Sequence, residues 1–429
     1  MDPLLLCRKR RLKKESIVKG RYLYVGAVAV ALAISWGLWH PVSVKAAKEL
    51  NSPRFVVDPF WPKPLPAGWV TGEIGGTCVD SNDHVFIYTR GFQTGGLVSP
   101  EGVGGAPKSF AAPPVIEIDQ DGNVVNSWGD PSLVPAGQPH AGQNAVLPNG
   151  THGCFVDSQD NVWLAGNGDG VVQKYSHDGT LLMQIGTKFL CDSATGACGN
   201  PGTNTSKTLL NDPADIAVDP SNGDVYIADG YGNHRVVVFN STGTWLRQMG
   251  SAGTGPGQFA SGDGGHPHCV VLGKDGLVYA CDRGNDRINV YKKDGTFLYD
   301  IPVVPGTNAI GTAGSAWDVD FSPDKQQTFM YESDGGNEIM WIFDHAAKTI
   351  LSGFGRPGHM AGEFTFLHMM AISSRGDLIV GETIGGRRVQ KFVRQGDVPQ
   401  DELKVVIPAG NLNLRLLHYD PVKNKDTDN

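Results

Sequence analysis

The chain is 429 residues long, with 36 Lys+Arg against 44 Asp+Glu, 40% hydrophobic residues, 57 Gly, 27 Pro and 7 Cys. The apolar content excludes general disorder, and the abundant Gly and Pro exclude a helical bundle in favour of short strands joined by tight turns. Residues 1–21 hold eight basic side chains and two acids, leaving 28 basic and 42 acidic residues in the remainder, a body whose charge argues against nucleic acid as a partner.

The first element along the chain is Tyr22 to Trp39, YLYVGAVAVALAISWGLW, eighteen residues without a charge. That length crosses a bilayer, and Tyr22, Tyr24, Trp36 and Trp39 sit at its ends as interfacial anchors. The expectation is a basic cytoplasmic segment over 1–21 and a single transmembrane helix over 22–39. Everything beyond would then lie on the periplasmic or extracellular side. The rival is a cleaved signal peptide, with Val44-Lys45-Ala46 as a weak cleavage site. Either reading exports the body and permits disulfides. Cys7 falls on the cytosolic side. Cys191 and Cys198 bracket the loop CDSATGAC and could close a small ring, and Cys269 and Cys281 fall on neighbouring strands. Cys78 and Cys154 read as small buried core residues. No CxxC pair occurs, which argues against a cysteine zinc site.

Residues 40–69 read as a linker whose later part, SPRFVVDPFWPKPLPAGW (52–69), packs on the outside or helps to close the fold. From residue 70 one pattern recurs six times: an apolar strand, a polar turn, a second strand of the VYIAD kind, a loop, a third strand, a DG-type turn and a fourth strand. The copies begin near GGTCVDSNDHVFIYTRG, HGCFVDSQDNVWLAG, ADIAVDPSNGDVYIADG, HCVVLGKDGLVYACDRG, WDVDFSPDKQQTFMYES and HMMAISSRGDLIVGET. Such turns make antiparallel hairpins, and four strands in roughly fifty residues is the period of a β-propeller blade. The fold expected is therefore an all-β, six-bladed propeller over 70–396, with its first blade stretched by the insert Gly91–Pro114 and a polar tail over 397–429. A pair of β-sandwiches is the alternative, and it predicts no common offset for functional residues between copies.

A common offset exists. Taking Asp80, Asp157, Asp219, Gly273, Ser322 and Ser374 as turn markers, the residues five or six earlier are Gly75, His152, Ala214, His268, Trp317 and His368. Histidine stands in copies two, four and six, which lie 120° apart in a six-bladed ring whose first strands line the channel. Three imidazoles at the axis make a metal site with open positions, suited first to zinc. The bland alternative is three separate, hydrogen-bonded channel histidines. The second strand returns to the same rim, which places Arg90, Tyr231 and Arg283 there, with Asp229 and Asp282 just before the last two. Two guanidiniums and a phenol on one rim point to a small anionic substrate or a peptide C-terminus.

The stretches PNGTHGCFVD, IAVDPSNGDVYIADGYGNHRV, HPHCVVL and ACDRGNDRI resemble the six-bladed propeller of peptidyl-α-hydroxyglycine α-amidating lyase, within the wider NHL-repeat class. The resemblance covers roughly residues 70–395. It implies that His152, His268 and His368 hold zinc, that Tyr231 is the catalytic tyrosine, and that Arg90 and Arg283 are active-site arginines. The implied reaction cleaves the N–C bond of a carbinolamide to a primary amide and glyoxylate. Met369 stands where the family has an acidic calcium ligand, so calcium is not expected at that place. Gly232 stands where animal enzymes have a cysteine after the tyrosine. No copper hydroxylase domain is recognisable before the propeller, so a separate hydroxylase is the implied source of substrate. Two other functions remain open at this stage: a non-catalytic binding or scaffold propeller, and a lactonase-type hydrolase. The latter would use Glu and Asn at the channel, for which Glu382 and Asn167 occupy rim positions.

Overall fold

The computed structural model describes residues 50–400, apart from 94–95, 99–108, 131, 262–263, 265 and 308–312, together with short backbone pairs at 419–420 and 425–426. The expected cytoplasmic segment, the anchor at 22–39 and Cys7 lie outside the described residues. No helix of the described residues is long and apolar enough to cross a membrane.

Turn chemistry sets the repeat. In four blades the hairpin between the third and fourth strands carries a glycine in the left-handed region: Gly122, Gly179, Gly243 and Gly295, with φ between +79° and +96°. That backbone conformation is cheap only for glycine. In the fifth blade the same turn is made by Lys348 at φ +60°. The chain thereby folds into six four-stranded antiparallel sheets, each built in sequence order from the axis outwards. The second blade, for example, runs Thr151–Val156, Val162–Gly166, Val171–Tyr175 and Leu181–Gly186. The sixth departs from this order. Its inner strands are Leu367–Ile372, Leu378–Glu382 and Arg388–Val398, and its fourth strand is the N-terminal Ser52–Asp58. Val57 pairs with Phe392 and Asp58 with Lys391 in that join. A six-bladed all-β propeller is therefore observed, and its ring is closed by a strand from the beginning of the described chain.

The inner strands explain why the apolar runs are continuous rather than alternating. Second strands such as Val225–Asp229 and Val162–Gly166 are buried at every residue, because neighbouring blades cover both faces of the sheet. The fourth strand Trp245–Met249 alternates between part-buried and exposed residues and ends on buried Met249, since only one of its faces meets a neighbour. Between blades three and four the core includes Tyr226, Val236 and Val238 packed on Val270, Val278 and Tyr291.

Two sequence expectations need correction. The sixth turn marker is Ser373, not Ser374: Ser373 N–H bonds the Asp377 carbonyl at 2.9 Å, as Asp157 N–H bonds that of Asn161. The offset back to His368 is then five, as in every other blade. Second, Cys78 and Cys154 are not separate core thiols. They form a disulfide between the first strands of blades one and two. Those strands run side by side, which two cysteines 76 residues apart do not disclose. Cys191–Cys198 and Cys269–Cys281 are also disulfides.

Because Ser52–Asp58 covers the edge of the last blade, its loss exposes an unpaired strand and the apolar surface around Phe55, whose ring lies 5.4 Å from Phe354 and 5.6 Å from Tyr331. A chain beginning at residue 59 should melt about 10 °C or more below one beginning at residue 51. Calorimetry of the two truncations checks this, and equal midpoints would show that the ring closes without the strand.

Candidate metal centre and its rim

The three histidines meet at the axis. Their ring centroids lie 4.7 Å (His152–His268), 4.6 Å (His152–His368) and 5.1 Å (His268–His368) apart, with interplanar angles of 71° to 82°. All three are buried, and their facing ring nitrogens fall within 4.8 Å of one another. Local backbone aims two of them. The pairing of first and second strands slips between Thr151 and Cys154, and again between Leu367 and Met370. His152 and His368 sit in those bulges, a device that redirects a side chain out of the regular pleat.

Each ring is held from behind. Nδ1 of His152 donates to the Ala214 carbonyl at 2.8 Å, that of His268 to Trp317 at 2.6 Å, and that of His368 to Gly75 at 2.9 Å. A carbonyl only accepts, so Nδ1 carries the proton and the lone pair of Nε2 is left to the channel. The accepting residues stand at the histidine offset in blades three, five and one. Alternate blades thus supply the imidazoles, and the blades between them orient the rings.

Burial is the main cause holding all three imidazoles well below their usual pKa. The charges of Arg90 and Arg283 add to it at His152 and His368, and Arg283 does so at His268. They are therefore neutral at pH 7, the state that ligates metal. Nε2 of His268 is buried and has no hydrogen-bond partner. A lone pair left without a proton or partner inside a protein is costly, and a cation at this point would satisfy it. The donor set fits a divalent metal.

Tyr231 reaches the same group. Its hydroxyl lies 3.0 Å from His152 Nε2 and accepts a bond from Arg283 Nη2 at 3.2 Å. Tyr231 sits at φ +65°, unusual for a large residue, in the loop after the strand Val225–Asp229. The preceding Gly230 packs so tightly that a Cβ would come 2.0 Å from the Pro267 carbonyl oxygen. Arg283 is buried, its guanidinium 4.4 Å from the Trp317 ring centroid and its Nε on the Gly264 carbonyl. No carboxylate among the described residues pairs with it. Arg90 is placed differently. Nε donates to the Thr151 carbonyl at 2.8 Å, and Nη1 donates to Glu73 at 2.9 Å and to Thr383 Oγ1 at 3.0 Å. Sequence reasoning missed Glu73, which stands two residues before Gly75, the first-blade residue at the histidine offset, and also pairs with Arg387.

Asp229 and Asp282 belong to the scaffold. Asp229 bonds Arg235 Nε at 2.9 Å and Asn233 at 2.7 Å, and Asp282 bonds Arg287 Nε at 2.9 Å and Asn285 at 2.7 Å. Glu382 plays the same part in blade six, bonding Arg388 and Gln390, each at 2.7 Å. Its carboxylate is thus engaged away from the channel. Asn167 is part-buried beside Gly150 and does not join the histidines.

Two hub carboxylates were also missed. Asp215 and Asp318 stand one residue after Ala214 and Trp317, and accept from the backbone N–H groups of Val270 and Met370, at 3.0 Å and 2.8 Å. Burial pushes Asp215 up to about 7 and raises Asp318 well above the carboxylate range. Both line a cavity of about 150 Å³ further along the axis, with Asp320 and Met369. None of the three histidines lines it.

The family model for the NHL repeat matches residues 210–239. The chain is 25% identical over 367 residues to the NHL repeat-containing protein 3 of Mus musculus, covering 80% of this chain and 86% of that protein. It is 28% identical over 241 residues to the peptidylglycine alpha-amidating monooxygenase of Rattus norvegicus, covering 52% of this chain and 21% of that protein. It is 25% identical over 271 residues to the peptidyl-alpha-hydroxyglycine alpha-amidating lyase 1 of Drosophila melanogaster, covering 57% and 44% respectively. The chain thus spans about a fifth of the monooxygenase and under half of the lyase. By sequence, the chain carries an NHL-repeat match at 210–239 and is similar to an NHL repeat-containing protein and to amidating lyases.

Proposed function

We propose that this propeller is a zinc-dependent carbon–nitrogen lyase that cleaves a carbinolamide of the peptidyl-α-hydroxyglycine type to an amide and glyoxylate. The observation that carries the reading is the triad of neutral imidazoles, each fixed through Nδ1, with the Tyr231 hydroxyl 3.0 Å from one of the Nε2 atoms. Similarity to lyases of that name supports it. Nε2 of His152, His268 and His368 would hold the metal, which as a Lewis acid lowers the pKa of a substrate hydroxyl.

The chain's own groups account for the remaining chemistry. With Nδ1 protonated, His152 Nε2 accepts the Tyr231 hydroxyl proton. With that lone pair given to a metal, the Tyr231 oxygen would be free to face the substrate. Acting as the phenolate, its own proton given up to solvent beforehand, Tyr231 takes the proton from the substrate hydroxyl as the C–N bond breaks. The bonding pair leaves on nitrogen, the carbon becomes a carbonyl, and the phenol returns the proton to the departing amide, so the reaction is redox-neutral. Arg283 donates to the Tyr231 oxygen and steadies negative charge there. Buried without a carboxylate among the described residues, Arg283 also suits an anionic substrate. Arg90 already pairs with Glu73, so a substrate carboxylate there would compete with that side chain for the guanidinium.

The three disulfides suit an oxidising compartment, so we place the propeller on the outer side of a membrane, anchored through residues 22–39 and supplied by a separate hydroxylase. A second reading is a binding propeller without catalysis. It is favoured by the longest of these matches being to a protein named for its repeat alone. The lactonase reading loses support because Glu382 is tied to Arg388 and Gln390.

Elemental analysis of the purified chain should find one zinc bound at the axis, and His268→Ala should abolish that binding. Wild type that binds no axial metal would leave the scaffold reading. Tyr231→Phe should lower glyoxylate release from an α-hydroxyglycine peptide by about 100-fold or more while the axial metal stays bound. Unchanged turnover in this variant would remove the phenol from the mechanism.

A further inference from the structure

A second cluster of metal-ligating side chains lies away from the axis, at the seam between blades one and two. Asp80, in the turn after the first strand of blade one, and Glu117, in the third strand of that blade, are both buried, with side chains 0% and 4% exposed. His84 Nδ1 lies 2.7 Å from Glu117 Oε1. His177, from the third-to-fourth strand turn of blade two, places Nε2 3.2 Å from Asp80 Oδ2 and 3.6 Å from Glu117 Oε1.

The repeat supplies its own control. In blade two the turn acid Asp157 is met by Lys174 at 3.0 Å, and Lys174 pairs across its sheet with Trp163. In blade three the turn acid Asp219 is met by Lys293, from the third-to-fourth strand turn of blade four, at 2.5 Å. At the first seam both lysine positions are changed. Glu117 pairs with Phe86 as Lys174 does with Trp163, so a carboxylate replaces one ammonium. His177 stands in SHDG where Lys293 stands in KKDG, so an imidazole replaces the other. No Lys or Arg of the described residues forms an ion pair with Asp80 or Glu117. Two buried carboxylates therefore share one seam without the ammonium found elsewhere. Asp80 Oδ1 accepts from the backbone N–H groups of Asn82 and His84, and Asp80 Oδ2 and Glu117 Oε1 face the two imidazoles, where a shared cation would offset the charge of both carboxylates.

The geometry suits such a cation. Ligands at zinc distances of 2.0–2.2 Å in a tetrahedron lie about 3.4 Å from one another. The ligand atoms of Asp80, His84 and Glu117 fall within 4.8 Å of one another, and His177, outside that set, reaches the two carboxylates at 3.2 and 3.6 Å from the neighbouring blade. Two imidazoles with two carboxylates form a borderline donor set, suited to zinc rather than to calcium or magnesium. His84 and His177 are 30% and 39% exposed, which leaves a path from solvent. We infer that Asp80, His84, Glu117 and His177 form a second zinc site that clamps blade one to blade two, independent of the axial triad and of the reaction proposed for it.

The test is equilibrium dialysis of the full chain against zinc, followed by elemental analysis of wild type, the His84→Asn/His177→Asn double variant and His268→Ala. Both seam histidines are partly exposed, so their replacement should be tolerated by the fold. Two equivalents in wild type, one in the seam variant and one in His268→Ala are expected. A seam variant that binds as much zinc as wild type overturns the inference, whatever the axial site does. One equivalent in wild type that persists in His268→Ala and vanishes in the seam variant would uphold the seam site and remove the axial one. Cobalt substitution of His268→Ala gives a second readout: the intense visible bands of a tetrahedral ion should appear there and be lost when the seam histidines are also replaced.

Discussion

The structure turns on one hydrogen bond made three times, from an imidazole Nδ1 of one blade to a first-strand carbonyl of the next. Each bond contributes about 1 kcal/mol by itself. Its larger effect is directional. By fixing the tautomer and the ring plane, it leaves Nε2 of His152, His268 and His368 facing one point on the axis, where a side chain free to rotate would find solvent or a backbone partner instead. The residues at the same offset in the intervening blades are Gly75, Ala214 and Trp317, and what the site uses from each is its carbonyl oxygen.

The same hub closes the ring. His152 links blade two to three, His268 links four to five and His368 links six to one, each through its carbonyl partner. Asp215 links three to four and Asp318 links five to six through backbone N–H groups. Between blades one and two the link is covalent, the Cys78–Cys154 disulfide. Every neighbouring pair is therefore joined at the axis, and the side chains that could hold a metal are also those that hold the blades together. Replacing one of the histidines leaves a buried carbonyl without its donor as well as an incomplete ligand set. Stability should then be measured beside metal content in any variant of the triad.

The blades and the triad were legible in the sequence because both are periodic. Hairpin turns with glycine at positive φ recur at fixed spacing, and a histidine at every second copy points to convergence in a six-bladed ring. Individual side-chain partnerships were harder to see. The partnership of Cys78 with Cys154 needs the spacing of adjacent first strands, and that of Arg90 with Glu73 needs the fold of the rim loop. Asp215 and Asp318 carried a signal, since both follow the histidine offset by one residue, but in isolation each resembles an ordinary strand acid. Asp229 and Asp282 misled in the opposite direction. Their closeness to Tyr231 and Arg283 in the chain suggested a shared pocket, whereas each is bound to an asparagine and an arginine of its own blade.

That division has a physical reason which bears on the rim. A repeat can reuse one scaffold interaction in several blades, so scaffold residues recur, whereas a site at the axis needs different groups from different blades. Asp229, Asp282 and Glu382 recur at one place in their blades and each binds an arginine of its own sheet. Tyr231 comes from blade three, while Arg90 and Arg283 stand at one common place, directly after the second strands of blades one and four. Tyr231 and Arg283 share a hydrogen bond next to His152, while Arg90 adds its positive field at His152 and His368. The chemistry of the rim is accordingly carried by residues that follow the second strands of three blades, and the repeat supplies the rigid frame in which a phenol, two guanidiniums and three imidazoles can be set at fixed separations.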